Sequence, residues 1–200
     1  MSKVGVANER KLQIVSATIK CISRCGYHNF SMQDVAKTAG VSKGIIHYYF
    51  LNKDDLMTAV LEQVSDNIQQ VLRTNLERSS GPAEKLETFL SVCLSVVKDI
   101  REYYQVHMDF WTQINQKNDV KLLVAEHYRS FRSTCIAILD QGVKEGVFQK
   151  ICTLSYASYI LAIIDGISLQ WLFDHDAFDH DTISKELSSI VMAGLRPSQV

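Results

Sequence analysis

The sequence predicts an all-α fold: an N-terminal three-helix helix-turn-helix head followed by a C-terminal helical bundle. Three observations carry this. Apolar residues recur at spacings of three and four along most of the chain, the signature of helices with one buried face. No stretch shows the strict alternation of a half-buried strand. Nine Gly and two Pro in 200 residues leave few breaks and argue against a loop-rich β fold. Hydrophobic residues at 46% and charged residues at 22% are ordinary for a soluble chain with a real core, and exclude disorder and coiled-coil rods.

The elements follow in order. Leu12, Val15, Ile19 and Ile22 set an amphipathic helix over residues 8–25, which Gly26 is placed to end. Ser31 reads as an N-cap with Asp34 in the capping-box position, opening a short helix that runs to about Ala39. Gly40 suits a left-handed turn, and Ser42 caps a third helix over Lys43–Tyr49. A long helix over Lys53–Arg78 follows, closed by Ser79-Ser80-Gly81-Pro82. Pro82 suits the first turn of a helix over Ala83–Ile100. Beyond an aromatic-rich stretch, 101–116, helices are expected over Val120–Glu145, Leu154–Phe173 and Thr182–Leu195. The domain boundary is placed after Lys53, giving a head of residues 1–53 and a body of residues 54–200.

Charge separates these two parts. Residues 1–53 hold eight Lys/Arg and two acids, a balance of +6, and residues 54–200 hold a balance of −7. A basic head on an acidic body points to different partners for each. Five scattered Cys (Cys21, Cys25, Cys93, Cys135, Cys152) match no zinc spacing and read as reduced thiols of a cytoplasmic protein. The polar start, Met1 to Arg10, is no secretory signal. The most apolar run, Tyr156–Phe173, is interrupted by Asp165 and Gln170 and reads as a core helix, too short to span a membrane. No cofactor is expected. The run Asp174-His175-Asp176 to Asp181 carries metal-ligand residue types without a metal-ligand spacing. It reads as a solvated linker whose last Asp caps the final helix, so no metal is expected.

The informative block is Ser31 to Phe50. Two short helices joined by a turn containing Gly form a helix-turn-helix. Val35, Ala36, Ala39, Val41, Ile46 and Phe50 supply the apolar lock, and the small Ala36 and Ala39 allow close approach. Lys43, Gly44, Ile45, His47 and Tyr48 are left facing outward, with donors for phosphates and base edges and an apolar group for a thymine methyl.

At Ser31, Val35-Ala36, Ala39-Gly40-Val41-Ser42, Gly44, Tyr48-Tyr49-Phe50 and Lys53-Asp54-Asp55-Leu56 the chain resembles the TetR/AcrR family of bacterial transcriptional regulators. Gly44-Ile45-Ile46 and Ile164-Asp165-Gly166-Ile167 look like its BetI-like branch. The sequence departs from the family pattern at His47, where Tyr is usual, and at Ser31, where Thr is commoner. The resemblance implies a ligand-responsive regulator, most often a repressor, that binds a palindromic operator as a homodimer. It places Gln33, Lys43, Gly44, Ile45 and His47 at base edges, and Ser31, Ser42, Tyr48, Tyr49 and Lys53 at phosphates, which position without reading sequence.

In the body, Leu154–Phe173 is apolar on more than one face. Ile160, Ile164, Ile167 and Trp171 are expected to need a partner chain, with Ile183, Leu187, Ile190 and Val191 beside them. Tyr104, His107, Met108, Trp111, Phe131, Cys135 and Gln170 are candidates to line a pocket for a small-molecule effector, against the plainer reading that these aromatics fill the core. An aromatic cage with a carboxylate suits a cation. An enzyme is disfavoured: no phosphate loop, dinucleotide fingerprint, Gly-x-Ser-x-Gly or His-Glu-x-x-His occurs. A nucleoid-associated DNA binder of the same fold is the alternative.

Overall fold

The computed structural model describes residues 3–26, 29–99 and 118–197. Among the described residues there are eight α-helices and no strand: α1 (Lys3–Cys25), α2 (Met32–Ala39), α3 (Lys43–Tyr49), α4 (Lys53–Leu76), α5 (Pro82–Asp99), α6 (Asn118–Lys144), α7 (Thr153–Phe173) and α8 (His180–Leu195). Tyr104, His107, Met108 and Trp111 lie outside the described residues.

Glycine ends two helices as the sequence requires. Gly26 and Gly40 take φ of +78° and +66°, a region that Cβ-bearing residues enter only with strain. Gly146 does the same after α6 at φ +72°. Gly142 serves differently. The Phe148 ring folds back onto it, and a Cβ there would meet the ring at 2.0 Å. The backbone N–H groups of Val147 and Phe148 both donate to the Gly142 carbonyl, which fixes the fold-back.

The described residues divide into two compact units. The first holds α1 to α3, α4 as far as Asn67 and the start of α6 as far as Leu123. Its core joins Ile14 and Ile22 of α1, Val35 and Ala36 of α2, Ile46 of α3, Phe50, and Leu56 and Met57 of α4, all at most 1% exposed. α1 packs on α2 and α2 on α3. The second unit holds the rest of α4, α5, the rest of α6, α7 and α8. There α5 packs against both α7 and α8, around Phe89, Leu90, Leu94, Leu139, Ile160 and Ile164.

Two sequence expectations are corrected here. The final helix starts two residues early: Asp179, not Asp181, is its N-cap, accepting from the Thr182 N–H at 2.8 Å. Asp181 sits in the first turn, where a carboxylate favours the helix dipole. α7 begins at Thr153 and has 21 residues. By length and composition it is long and apolar enough to cross a membrane, which the shorter run from Tyr156 was not expected to be. It carries a hydrogen-bonded Asp165 and contributes Ala157, Ile160, Leu161 and Ile164 to the core.

Candidate DNA-reading surface

The surface is built upward from its caps. The Ser31 hydroxyl accepts from the Asp34 N–H at 3.3 Å and donates to Asp34 Oδ2 at 2.7 Å, while the Ser31 N–H donates to the same oxygen at 2.9 Å. This capping box satisfies the first turn of α2. The Ser31 hydroxyl and backbone hold the Asp34 carboxyl below its usual range. Ser42 caps α3 by accepting from the Ile45 N–H at 3.3 Å. At the far end of α2 the Gln13 amide donates to the Ala39 carbonyl at 2.7 Å. Arg24 donates to the Thr38 hydroxyl at 2.9 Å. The helix pair is thus clamped from α1 by side chains that periodicity alone does not single out.

On this base α3 has two sides. Its inner side is Ile46, fully buried, followed by Phe50 at 1% exposure. Its outer side is open: Lys43, Gly44, Ile45, His47 and Tyr48 are all exposed, with Tyr48 at 83%. Gln33 and Ser31 are exposed at the start of α2. Tyr49 is half-buried and meets Tyr48 edge-to-face, ring centroids 5.1 Å apart.

Lys53 opens α4. Its ammonium donates to the Phe30 carbonyl at 3.0 Å and lies 3.9 Å from the centre of the Phe30 ring. Desolvation pulls its pKa down, against the opposing pull of Asp54. Asn52 accepts from the Asp55 N–H, and Asp55 Oδ2 accepts from the Leu51 N–H, each at 2.9 Å. This reciprocal cap fixes where α4 begins, and the sequence reading did not identify it. Ser31, Ser42 and Lys53 therefore each hold the scaffold as well as standing at expected phosphate positions.

A capped helix of this size with one wall in the core and one wall open fits the width of a major groove. Two family models cover the chain on either side of this geometry: the tetR family of bacterial regulatory proteins over residues 14–60, and the BetI-type transcriptional repressor C-terminal region over residues 82–196. The chain belongs to the tetR family. It is a DNA-binding transcriptional regulator of the BetI-like branch.

Relatives carry the same assignment along the length of this tetR-family regulator. The HTH-type transcriptional regulator BetI of Brucella suis is 25% identical over 179 residues, covering 90% of this chain and 88% of that protein. BetI of Agrobacterium fabrum is 26% identical over 174 residues, covering 85% and 80%. A TetR transcription regulator from Haloarcula marismortui shares the fold at a TM-score of 0.86 and 21% identity, covering 95% of this chain and all of that one. A transcriptional regulator from Saccharomonospora viridis, solved in complex with choline, matches at 0.86 and 23%, covering 95% and 99%.

In the second unit the expected partner face divides in two. Ile160, Ile164 and Leu187 are buried in the unit's own core, at 2%, 4% and 6% exposure, so the cover they need comes from within the chain. Ile167, Trp171, Ile183 and Val191 are half-buried and Ile190 is 68% exposed. The open apolar side of α7 is instead Tyr159, Ile163 and Phe173, at 62%, 41% and 75%. A helix apolar all round does not say which side faces inward; the packing of α5 decides it.

The expected pocket residues also separate. Cys135 is fully buried, and burial pushes its thiol up to about 12 and that of Cys93 higher still. Phe131 borders a cleft, and Gln170 is exposed, its amide donating to the Gly166 carbonyl at 3.1 Å. A carboxylate outside the expected pocket set stands in this interior. Asp165 accepts from the Tyr128 hydroxyl at 2.9 Å, and burial raises its pKa although that hydrogen bond opposes the shift. One turn on, the Ser168 hydroxyl is fully buried with no hydrogen-bond partner among the described residues. The signal for Asp165 was its place in an otherwise apolar helix.

Proposed function

We propose that this regulator represses transcription by binding a palindromic operator as a homodimer and releases it when a small organic cation binds the body. The reading rests chiefly on the open wall of α3, which stands over a buried scaffold with its polar and apolar groups unshielded. Gln33, Lys43, Gly44, Ile45 and His47 read base edges. Ser31, Ser42, Tyr48, Tyr49 and Lys53 fix the register on phosphates. Residues 1–53 form the reading domain and residues 54–200 the sensing and pairing domain. The protein works in the cytoplasm, where its operator is, and performs no catalysis.

Pairing is supported by the exposed apolar residues Tyr159, Ile163, Phe173 and Ile190, together with the half-buried Ile167, Trp171, Ile183 and Val191. A two-fold dimer reads two half-sites about 34–36 Å apart, which multiplies the modest specificity of one short helix. A cationic effector is supported by Asp165. A half-buried carboxylate bonded to a tyrosine hydroxyl is relieved of its desolvation cost by an organic cation. Tyr128, whose hydroxyl makes that bond, offers an aromatic ring beside the carboxylate. The choline-bound regulator of the same fold is consistent with that class.

The test is fluorescence anisotropy with DNA from the regulator's own promoter. Saturable binding as a dimer, weakened by choline or tetramethylammonium, supports the reading. Binding that neither cation alters refutes the cationic effector. Equal affinity for unrelated DNA refutes the operator.

A further inference from the structure

The second unit carries a cleft that this reading does not use. It lies among the C-terminal half of α4, the start of α5 and the middle of α6, and has a volume of about 450 Å³, within the range that holds small organic ligands. Its floor is apolar, made by Leu72, Leu76, Phe131 and Ile138. Arg73, Glu77 and Lys85 stand around that floor.

The charges are arranged unevenly. Arg73 is exposed and makes no hydrogen bond or ion pair with a described residue. The Lys85 ammonium donates to Gln141 Oε1 at 3.1 Å. Gln141 in turn donates its amide to Glu145 Oε1 at 2.8 Å, so the nearest partner of Lys85 is a neutral amide. Two cations against the single carboxylate of Glu77 leave one positive charge over an apolar floor.

The cleft is separate from the interior around Asp165. Successive residues of a helix turn by about 100°, so Ser130, Thr134, Ala137 and Gln141 share one face of α6. Tyr128, Cys135 and Leu139 share another, about 150° away. The first face borders the cleft. The second holds the Tyr128 bond to Asp165 and the buried Cys135 and Leu139.

We propose that this cleft binds a small amphipathic carboxylate, a molecule with one anionic head and a short apolar body, as an input distinct from the cationic effector. The guanidinium of Arg73 offers a planar fork that matches a carboxylate bidentately. Lys85 adds a second charge-assisted donor once Gln141 yields. The apolar body lies on the half-buried Leu76 and Phe131, where contact removes apolar surface from water, above the buried Leu72 and Ile138. The match to a single anion disfavours a phosphate ester, whose second charge the lining does not balance.

The experiment titrates the full-length protein with octanoate and, as the neutral counterpart, octanol. Calorimetry gives affinity, and methyl NMR of Ile- and Leu-labelled protein gives location. Octanoate should shift the methyls of Leu72, Leu76 and Ile138 and bind about tenfold more tightly than octanol. R73Q combined with K85Q should bring octanoate down to the octanol level. A137W, at an exposed position of the lining, should block both ligands while operator binding persists; S130W serves the same purpose should A137W fail to fold. Equal affinity for the two ligands, octanoate binding that survives the double substitution, shifts confined to Leu161 and Ile164, or no shift at all would each overturn the proposal.

Discussion

Asp165, the proposed counter-charge for the effector, stands where its ionised form costs stability. Its pKa in the folded protein is raised by burial. A raised folded value means that the stabilising balance is fully present below the unfolded carboxyl pKa and is lost as pH rises through the folded pKa. Once ionised, the carboxylate supports the fold less than its neutral form does. D165N should therefore unfold no lower, and at pH 7 slightly higher, than the parent in thermal melts. It should also lose the release of operator by choline, because the counter-charge is gone. A D165N protein that still releases DNA on choline addition would remove Asp165 from the sensing role.

Ser31 and Asp34 run in the opposite sense. The Asp34 pKa is lowered by the Ser31 hydroxyl and backbone, so the support from this cap is present above the unfolded carboxyl pKa and fades as pH falls through the folded one. S31A should cost about 1 kcal/mol of stability, the usual worth of an N-cap. Because Ser31 also stands at an expected phosphate position, S31A should weaken operator binding without changing sequence preference. Denaturant melts and anisotropy on matched and scrambled operators separate the two effects.

At the scale of elements, the sequence showed helices wherever local chemistry marks their ends. Ser31, Gly40 and Ser42 announce α2 and α3, and the structure places the boundaries there because cap and left-handed glycine are local devices. α1 begins at Lys3, earlier than its apolar periodicity, since the polar first turns add nothing to that pattern. α8 begins at His180 because two aspartates compete to cap it and Asp179 is the one that reaches the Thr182 N–H. Gly142 was not legible, as its role depends on Phe148 returning over it. G142A should destabilise the second unit by about 1–3 kcal/mol, the range for overpacking a filled site, because a buried ring must move. A melt indistinguishable from the parent would mean that Phe148 gives way freely.

The open wall of α3 was legible for a related reason: one local motif supplies both its core side and its exposed side. The cleft of α4, α5 and α6 was not, since its lining comes from three separated stretches and only the packed chain brings them together. The face of α7 lies between these cases. Its apolar character predicted a further cover, and Ile160 and Ile164 were the natural candidates. The core took those two and left Tyr159, Ile163 and Phe173 outside.

For the whole molecule, the proposed pairing surface is the open apolar face of α7 and the proposed DNA-binding surface is α3. Placing charge in the open apolar face should separate chains without unfolding them, since exposed positions tolerate it. I163D combined with F173D should run as a monomer in light scattering at micromolar concentration and lose operator affinity, while keeping its helical content. A variant that remains dimeric would move the pairing surface elsewhere.

The most direct measurement is operator affinity as a function of salt for the parent and for K43A combined with H47A. The parent should bind its own promoter DNA with an affinity that falls steeply as salt rises, because cations on the head displace counterions from phosphates. The double substitution should lose discrimination between operator and scrambled DNA by about 1–3 kcal/mol per base contact removed, yet keep a salt-dependent residue of binding. Salt-independent affinity, or a double variant that still picks out the operator as well as the parent, would contradict the assignment of the open wall of α3 to the major groove.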